Sequence, residues 1–135
     1  MRTGKSILAI SILAAAAILL SNCSWISDDT KWDYHPMYPG EIANIESGGT
    51  PGQITFVIES FFSSGCDQFS HAEYIRENHS YYVRFFQKRP IGVACTDEVV
   101  DTQINWRITK LSQGENIFRF WRSDSTSLDT IIIIQ

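Results

Sequence analysis

From residue 41 to the end, the chain is a series of short runs in which apolar and polar residues alternate. In 53–62, Ile54, Phe56 and Ile58 fall on one side. In 103–110, Ile104, Trp106 and Ile108 do the same. A side-chain period of two belongs to extended chain, not helix. Further runs at 41–46, 69–77, 80–88, 115–122 and 128–134 are rich in β-branched and aromatic residues, which suit a pleated surface. Each run ends at turn-forming residues: Ser47-Gly48-Gly49, Ser63-Ser64-Gly65, Asn78-His79, Pro90 to Gly92, Ser112-Gln113-Gly114 and 123–127. No helical period is found after residue 22. Seven short strands with such spacing predict an all-β antiparallel sandwich over 41–135.

One hairpin can be read in detail. If Asn78-His79 is a two-residue loop, paired positions sum to 157. Asn tolerates the left-handed conformation such a loop needs. One face then holds Ala72, Tyr74, Val83 and Phe85, with Arg76 and Tyr81 near the turn, and should point inward. The other holds His71, Glu73, Ile75, Tyr82, Arg84 and Phe86 and should be wetter. Glu73 faces Arg84, and Phe69 faces Lys88. A slip of one residue would exchange the two faces.

The N-terminus is of another kind. Arg2 and Lys5 precede an apolar run at 7–20, ILAISILAAAAILL. Spanning the hydrocarbon core takes about 20 residues, so this run reads as a secretory signal helix, to be excluded from the fold. Leu20-Ser21-Asn22-Cys23 resembles the lipobox of bacterial lipoproteins. The resemblance covers 1–24, with Asn22 standing where the family prefers a smaller residue. It implies cleavage after residue 22, acylation of Cys23 and a stable membrane anchor through two or three chains. Ser24, not Asp, follows the cysteine, which implies the outer membrane of a Gram-negative envelope. Ser27-Asp28-Asp29 resembles the acidic surface-export signals of some such lipoproteins. Residues 24–40 have no steady period and contain Pro36, Pro39 and Gly40, so 23–40 reads as a lipidated tether. Its Trp25, Trp32, Tyr34 and Tyr38 could rest among lipid headgroups or pack back on the domain.

Under that resemblance Cys66 and Cys95 are the cysteines left over, in a compartment where disulfides persist. One disulfide is expected. The hairpin register agrees, since both cysteines lie just beyond its open end. No Cys-x-x-Cys and no zinc-type histidine spacing accompanies them. Loss of Arg2 and Lys5 takes the formal net charge from −4 to −6. An acidic domain lacks the electrostatic footprint for nucleic acid.

The strand ending in Gly65-Cys66, the hairpin, Ala94-Cys95-Thr96, and Leu111-Ser112-Gln113-Gly114-Glu115 leading into two last strands together resemble small bacterial immunoglobulin-like domains. The resemblance spans 53–135 at the level of layout and implies no particular activity. It departs from true immunoglobulin domains in the closeness of its two cysteines.

No catalytic constellation, metal site or cofactor is expected. His35 and His79 read as solvated. Asp67, His71 and Glu73 would bind metal only if loop and strand converged. Asp97, Glu98 and Asp101 read as a solvated acidic turn. The aromatics Trp106, Trp121, Tyr81, Phe120, Tyr82 and Phe86 read mostly as core. If Tyr82 and Phe86 stand out beside His71, Glu73 and Arg84, they form an amphipathic patch that suits protein or glycan. The last strand, DTIIIIQ, sends isoleucines to both faces, so it is either central or pairs with a partner. The expectation is a lipid-anchored, non-enzymatic binding or scaffolding module of the cell envelope. The alternative is an inhibitor-like or stress-protective domain that engages a protease through its disulfide end. A metal-dependent hydrolase is a weaker third.

Overall fold

The computed structural model describes residues 30–135. The expected signal helix, Cys23 and the start of the tether lie outside the described residues. Eight strands follow in order: β1 (Trp32–Met37), β2 (Glu41–Ser47), β3 (Ile54–Phe62), β4 (Gln68–Glu77), β5 (Ser80–Pro90), β6 (Val100–Ile108), β7 (Gly114–Ser123) and β8 (Thr126–Ile134). They form a five-stranded and a three-stranded sheet packed on one core, so the all-β, mostly antiparallel sandwich is present.

The three-stranded sheet runs β2-β3-β6. In the five-stranded sheet β4 covers one edge of β5 along nearly its whole length. The other edge is shared: β7 pairs with Ser80–Val83 and β1 with Phe85–Pro90. β8 then pairs with β7 and closes that side. The β5–β7 pairing is parallel. Parallel neighbours need a long crossover, and the chain supplies it by leaving after β5, adding β6 to the other sheet, and returning.

The seven expected strands all occur, with ends shifted by a few residues. The eighth, β1, lies in the stretch expected as tether. Its breakers Pro36, Pro39 and Gly40 hide it in the sequence. Tertiary structure overrides them, because β7 leaves half of one β5 edge unpaired and β1 fills it. Met37 and Pro39 are buried there. The chain then crosses to the other sheet, where Gly40 N–H donates to Glu59 C=O at 2.7 Å and Ser60 Oγ donates to Tyr38 C=O at 2.7 Å.

The core is an aromatic stack fed by alternation on both sheets. Phe56 of β3 meets Phe118 at 4.7 Å and Phe120 at 5.1 Å between centroids. Phe85 stacks on Phe120 at 5.8 Å and Tyr81 on Phe118 at 4.7 Å. Ile54, Ile58, Ile104 and Ile108 complete the three-stranded face. The narrower sheet does not reach under all of the wider one. Hence Tyr74 on the inner face of β4 remains 51% exposed, and Ile132 and Ile134 of β8 are only half-buried.

The hairpin register is as expected from Ala72↔Phe85 to Glu77↔Ser80, with Asn78 at φ 56° in the turn. The expected Phe69–Lys88 pair is corrected. A bulge at Ser70 brings Phe69 opposite Gln87 and Gln68 opposite Lys88. The extra residue keeps Phe69 on the inner face, 6.1 Å from Phe85.

Cys66 and Cys95 are disulfide-bonded at the open end of the hairpin, with Cα atoms 5.5 Å apart. Beside them Asp67, its side chain fully buried, accepts from Arg89 Nε at 2.6 Å and Nη2 at 2.9 Å, and from Ser63 Oγ at 3.2 Å. The Arg89 hydrogen bond chiefly holds the Asp67 carboxyl below the ordinary carboxylate range, against the opposing effect of burial.

Candidate functional site: the outer face of the five-stranded sheet

Alternation along β5 decides which side chains reach this face. Tyr81, Val83, Phe85 and Gln87 are buried, so Tyr82, Arg84, Phe86 and Lys88 point the other way. The register of β4 adds His71, Glu73 and Ile75 opposite them. The five residues singled out from sequence, His71, Glu73, Tyr82, Arg84 and Phe86, therefore share one face. They do not form one cluster. His71 and Phe86 stack together, 4.9 Å apart and nearly parallel, with Tyr34 of β1 at the edge of the His71 ring. His71 Nδ1 is 2.8 Å from Ser70 Oγ, and its Nε2 is 3.5 Å from Glu73 Oε1. Lys88 stands over Trp32 at 4.2 Å.

Tyr82 and Arg84 belong to a second group that sequence reasoning missed in part. In the parallel register Tyr82 lies beside Arg119. Two residues on, Arg84 lies over Trp121, with its guanidinium carbon 4.2 Å from the ring centroid. Arg119 sits over Tyr82 at 5.7 Å and has Nε 3.8 Å from Asp129 of β8. Each strand carries one aromatic and one arginine, in opposite orders. Parallel pairing turns these into two cation–π contacts, each worth about 0.5–1 kcal/mol at an exposed site. The indole of Trp121 is also packed by Tyr38, 5.2 Å away. Arg84 thus lies over a ring that is itself held.

A groove of about 720 Å³ crosses this part of the face. Glu73, Ile75, Tyr82, Arg84, Arg119 and Trp121 line it, and the turn at 123–127 adds hydroxyl groups and the Asp124 carboxylate. Tyr82 is 41% exposed within it. Two guanidinium groups, two carboxylates and several hydroxyls beside apolar rings give a surface that can donate, accept and bury apolar area together. Recognition surfaces use this mixture.

The remaining candidates separate. Trp121, read as core, is on the outer face. Trp106, Tyr81 and Phe120 are on the inner one. Asp67 is held by Arg89 at the disulfide end, apart from His71 and Glu73, so that trio does not converge. Among the described residues no group of three or more His, Cys, Asp and Glu is placed to hold a metal ion. Arg119 and Trp121 could have been found by noting that Phe118 and Phe120 claim the inward positions of FRFWR. Their pairing with Tyr82 and Arg84 could not, because it depends on a parallel contact between strands distant in sequence.

Comparison with protein-family models, with curated proteins and with solved structures gives no match, so the reading of this face rests on its geometry.

Proposed function

We propose that this chain is a lipid-anchored protein of a Gram-negative cell envelope and acts as a non-enzymatic binding module with an immunoglobulin-like layout. The outer face of the five-stranded sheet is its binding surface, and an envelope protein or glycan is its ligand. One observation carries the reading: a groove of about 720 Å³ lies on a solvent-facing sheet surface and is lined by aromatic and arginine side chains that already brace one another. Pre-ordered arginine and aromatic side chains lose little entropy on binding, which is why they dominate interface energetics. Cys23, at the end of the lipobox-like segment, supports the location.

Two experiments test this. Cross-linking of the full chain in cells, followed by mass spectrometry, should recover one partner repeatedly and lose it on Tyr82→Ala or Arg84→Ala. Recovery of abundant envelope proteins alone would overturn a protein ligand and leave glycans to be screened. Cys23→Ala should release the protein from membranes; retention there would defeat the lipid anchor.

A further inference from the structure

Four of the five unpaired strand edges in the described residues are blunted. β1 is six residues long and carries Asp33 and Pro36. β2 carries a bulge at Ala43 and the charges Glu41 and Glu46. β4 carries the bulge at Ser70 and the charges Glu73, Arg76 and Glu77. β6 sends Asp101, Gln103, Asn105 and Arg107 outward. Such features discourage an incoming strand. The fifth edge, β8, has none of them along its C-terminal half. It is the last strand of its sheet. Its register with β7 is regular from Gly114↔Ile134 to Trp121↔Ser127. It has no proline and no lysine, and Asp129 is its one charge. Ile131 and Ile133 are 56% and 70% exposed on the outer face. Ile132 and Ile134, on the inner face, are incompletely covered.

We infer that β8 is a pairing edge for a second copy of this chain, forming an antiparallel β8–β8 contact that joins two five-stranded sheets into one. The occupant follows from self-complementarity. A two-fold axis normal to the sheet keeps both outer faces on the same side. Outward residues must therefore face outward residues, and only registers centred on a residue satisfy the pleat. Centring on Ile132 sets Ile131 against Ile133 twice, Thr130 against Ile134, and Ile132 against itself. Asp129 then falls opposite Gln135, so no charge is buried against an apolar residue or a like charge. Centring on Ile131 or Thr130 would place Asp129 opposite an isoleucine.

This inference deepens the proposed function without depending on its ligand. The same axis points both grooves in one direction, so a dimer would present two copies of the site to one surface and gain avidity. A single strand-to-strand contact lies at the small end of specific interfaces, below about 1,200 Å². Confinement of the chains to one membrane raises their effective concentration and favours pairing.

Cysteine scanning of the full chain in cells tests the register. In Ile132→Cys the two introduced thiols should lie within disulfide reach, since paired Cα atoms are about 4.5–5.5 Å apart. In Asp129→Cys they should be about 20 Å apart at ~3.4 Å per residue. The expected result under mild oxidation is a covalent homodimer for Ile132→Cys. Asp129→Cys should stay at the level of the parent chain, and adding Ile133→Lys to Ile132→Cys should cause at least a tenfold loss. Retention of the Cys66–Cys95 bond reports that each variant is folded. Should Ile132→Cys fail to fold, two differently tagged chains carrying Ile131→Cys and Ile133→Cys should cross-link to each other. Equal cross-linking at 129 and 132, no homodimer at either pair, or a covalent product with a different protein would overturn the inference. Loss of the homodimer with the groove's ligand still bound would sink this inference alone. A homodimer that binds nothing through Tyr82 and Arg84 would sink the proposed function alone.

Discussion

The guanidinium carbon of Arg84 lies 4.2 Å from the centre of the Trp121 indole, joining β5 to β7 across the outer face of the sheet. The contact orients a cation that would otherwise sample many rotamers, and it does so beside an open groove. A double-mutant cycle of Arg84→Ala and Trp121→Ala should give a coupling of about 0.5–1 kcal/mol in urea unfolding. Additive effects would show that the stacking carries no energy.

The disulfide is expected to contribute about 3–4 kcal/mol, because it closes a loop of 30 or so residues in the unfolded chain. Replacing both Cys66 and Cys95 with Ala should lower the urea midpoint accordingly. Adding reductant should shift the wild type by a similar amount and leave the double variant unmoved.

Asp67 contributes stability with a defined pH dependence. Its carboxyl is held below the ordinary range, chiefly by the hydrogen bond from Arg89. A group lowered on folding stabilises above its unfolded value, near ~3.9, and loses that contribution as pH falls through the folded value. Asp67→Asn should therefore lower stability by about 2 kcal/mol near neutral pH. The gap between variant and wild type should narrow below about pH 4. A pH series of thermal unfolding curves checks both the size and the direction.

Tyr81 presents the reverse case. Its hydroxyl is buried with no hydrogen-bond partner among the described residues, while its ring stacks on Phe118. Tyr81→Phe removes the unpaired group and keeps the ring, so it should be neutral or stabilising by up to about 1 kcal/mol. Phe56→Ala, at the centre of the same stack, should cost about 3–5 kcal/mol. A clear loss of stability in Tyr81→Phe would mean that the hydroxyl has a partner after all.

Much of the fold is legible locally because β structure declares itself through alternation and turns. Asn78 could be assigned to the hairpin, and Tyr82 and Arg84 to its wet face, from residues close in sequence. The Ser70 bulge could not, since it exists to keep Phe69 above a core supplied by other strands. Nor could β1, whose prolines argue against a strand until an unpaired stretch of β5 is there to receive it.

The strand-rich class, the turns, the Cys66–Cys95 clip and the solvent-facing side of the hairpin can all be read from the order of residues alone. Each follows from short-range pattern or a small number of candidates. The parallel run of β5 and β7 arises only from long-range packing. Antiparallel pairing of the same segments could have set Tyr82 beside Trp121 and Arg84 beside Arg119, with aromatic against aromatic and two like charges together. The same packing makes DTIIIIQ an edge. The run of isoleucines marks β8 as apolar on both faces, but only the order of strands shows which neighbour is missing.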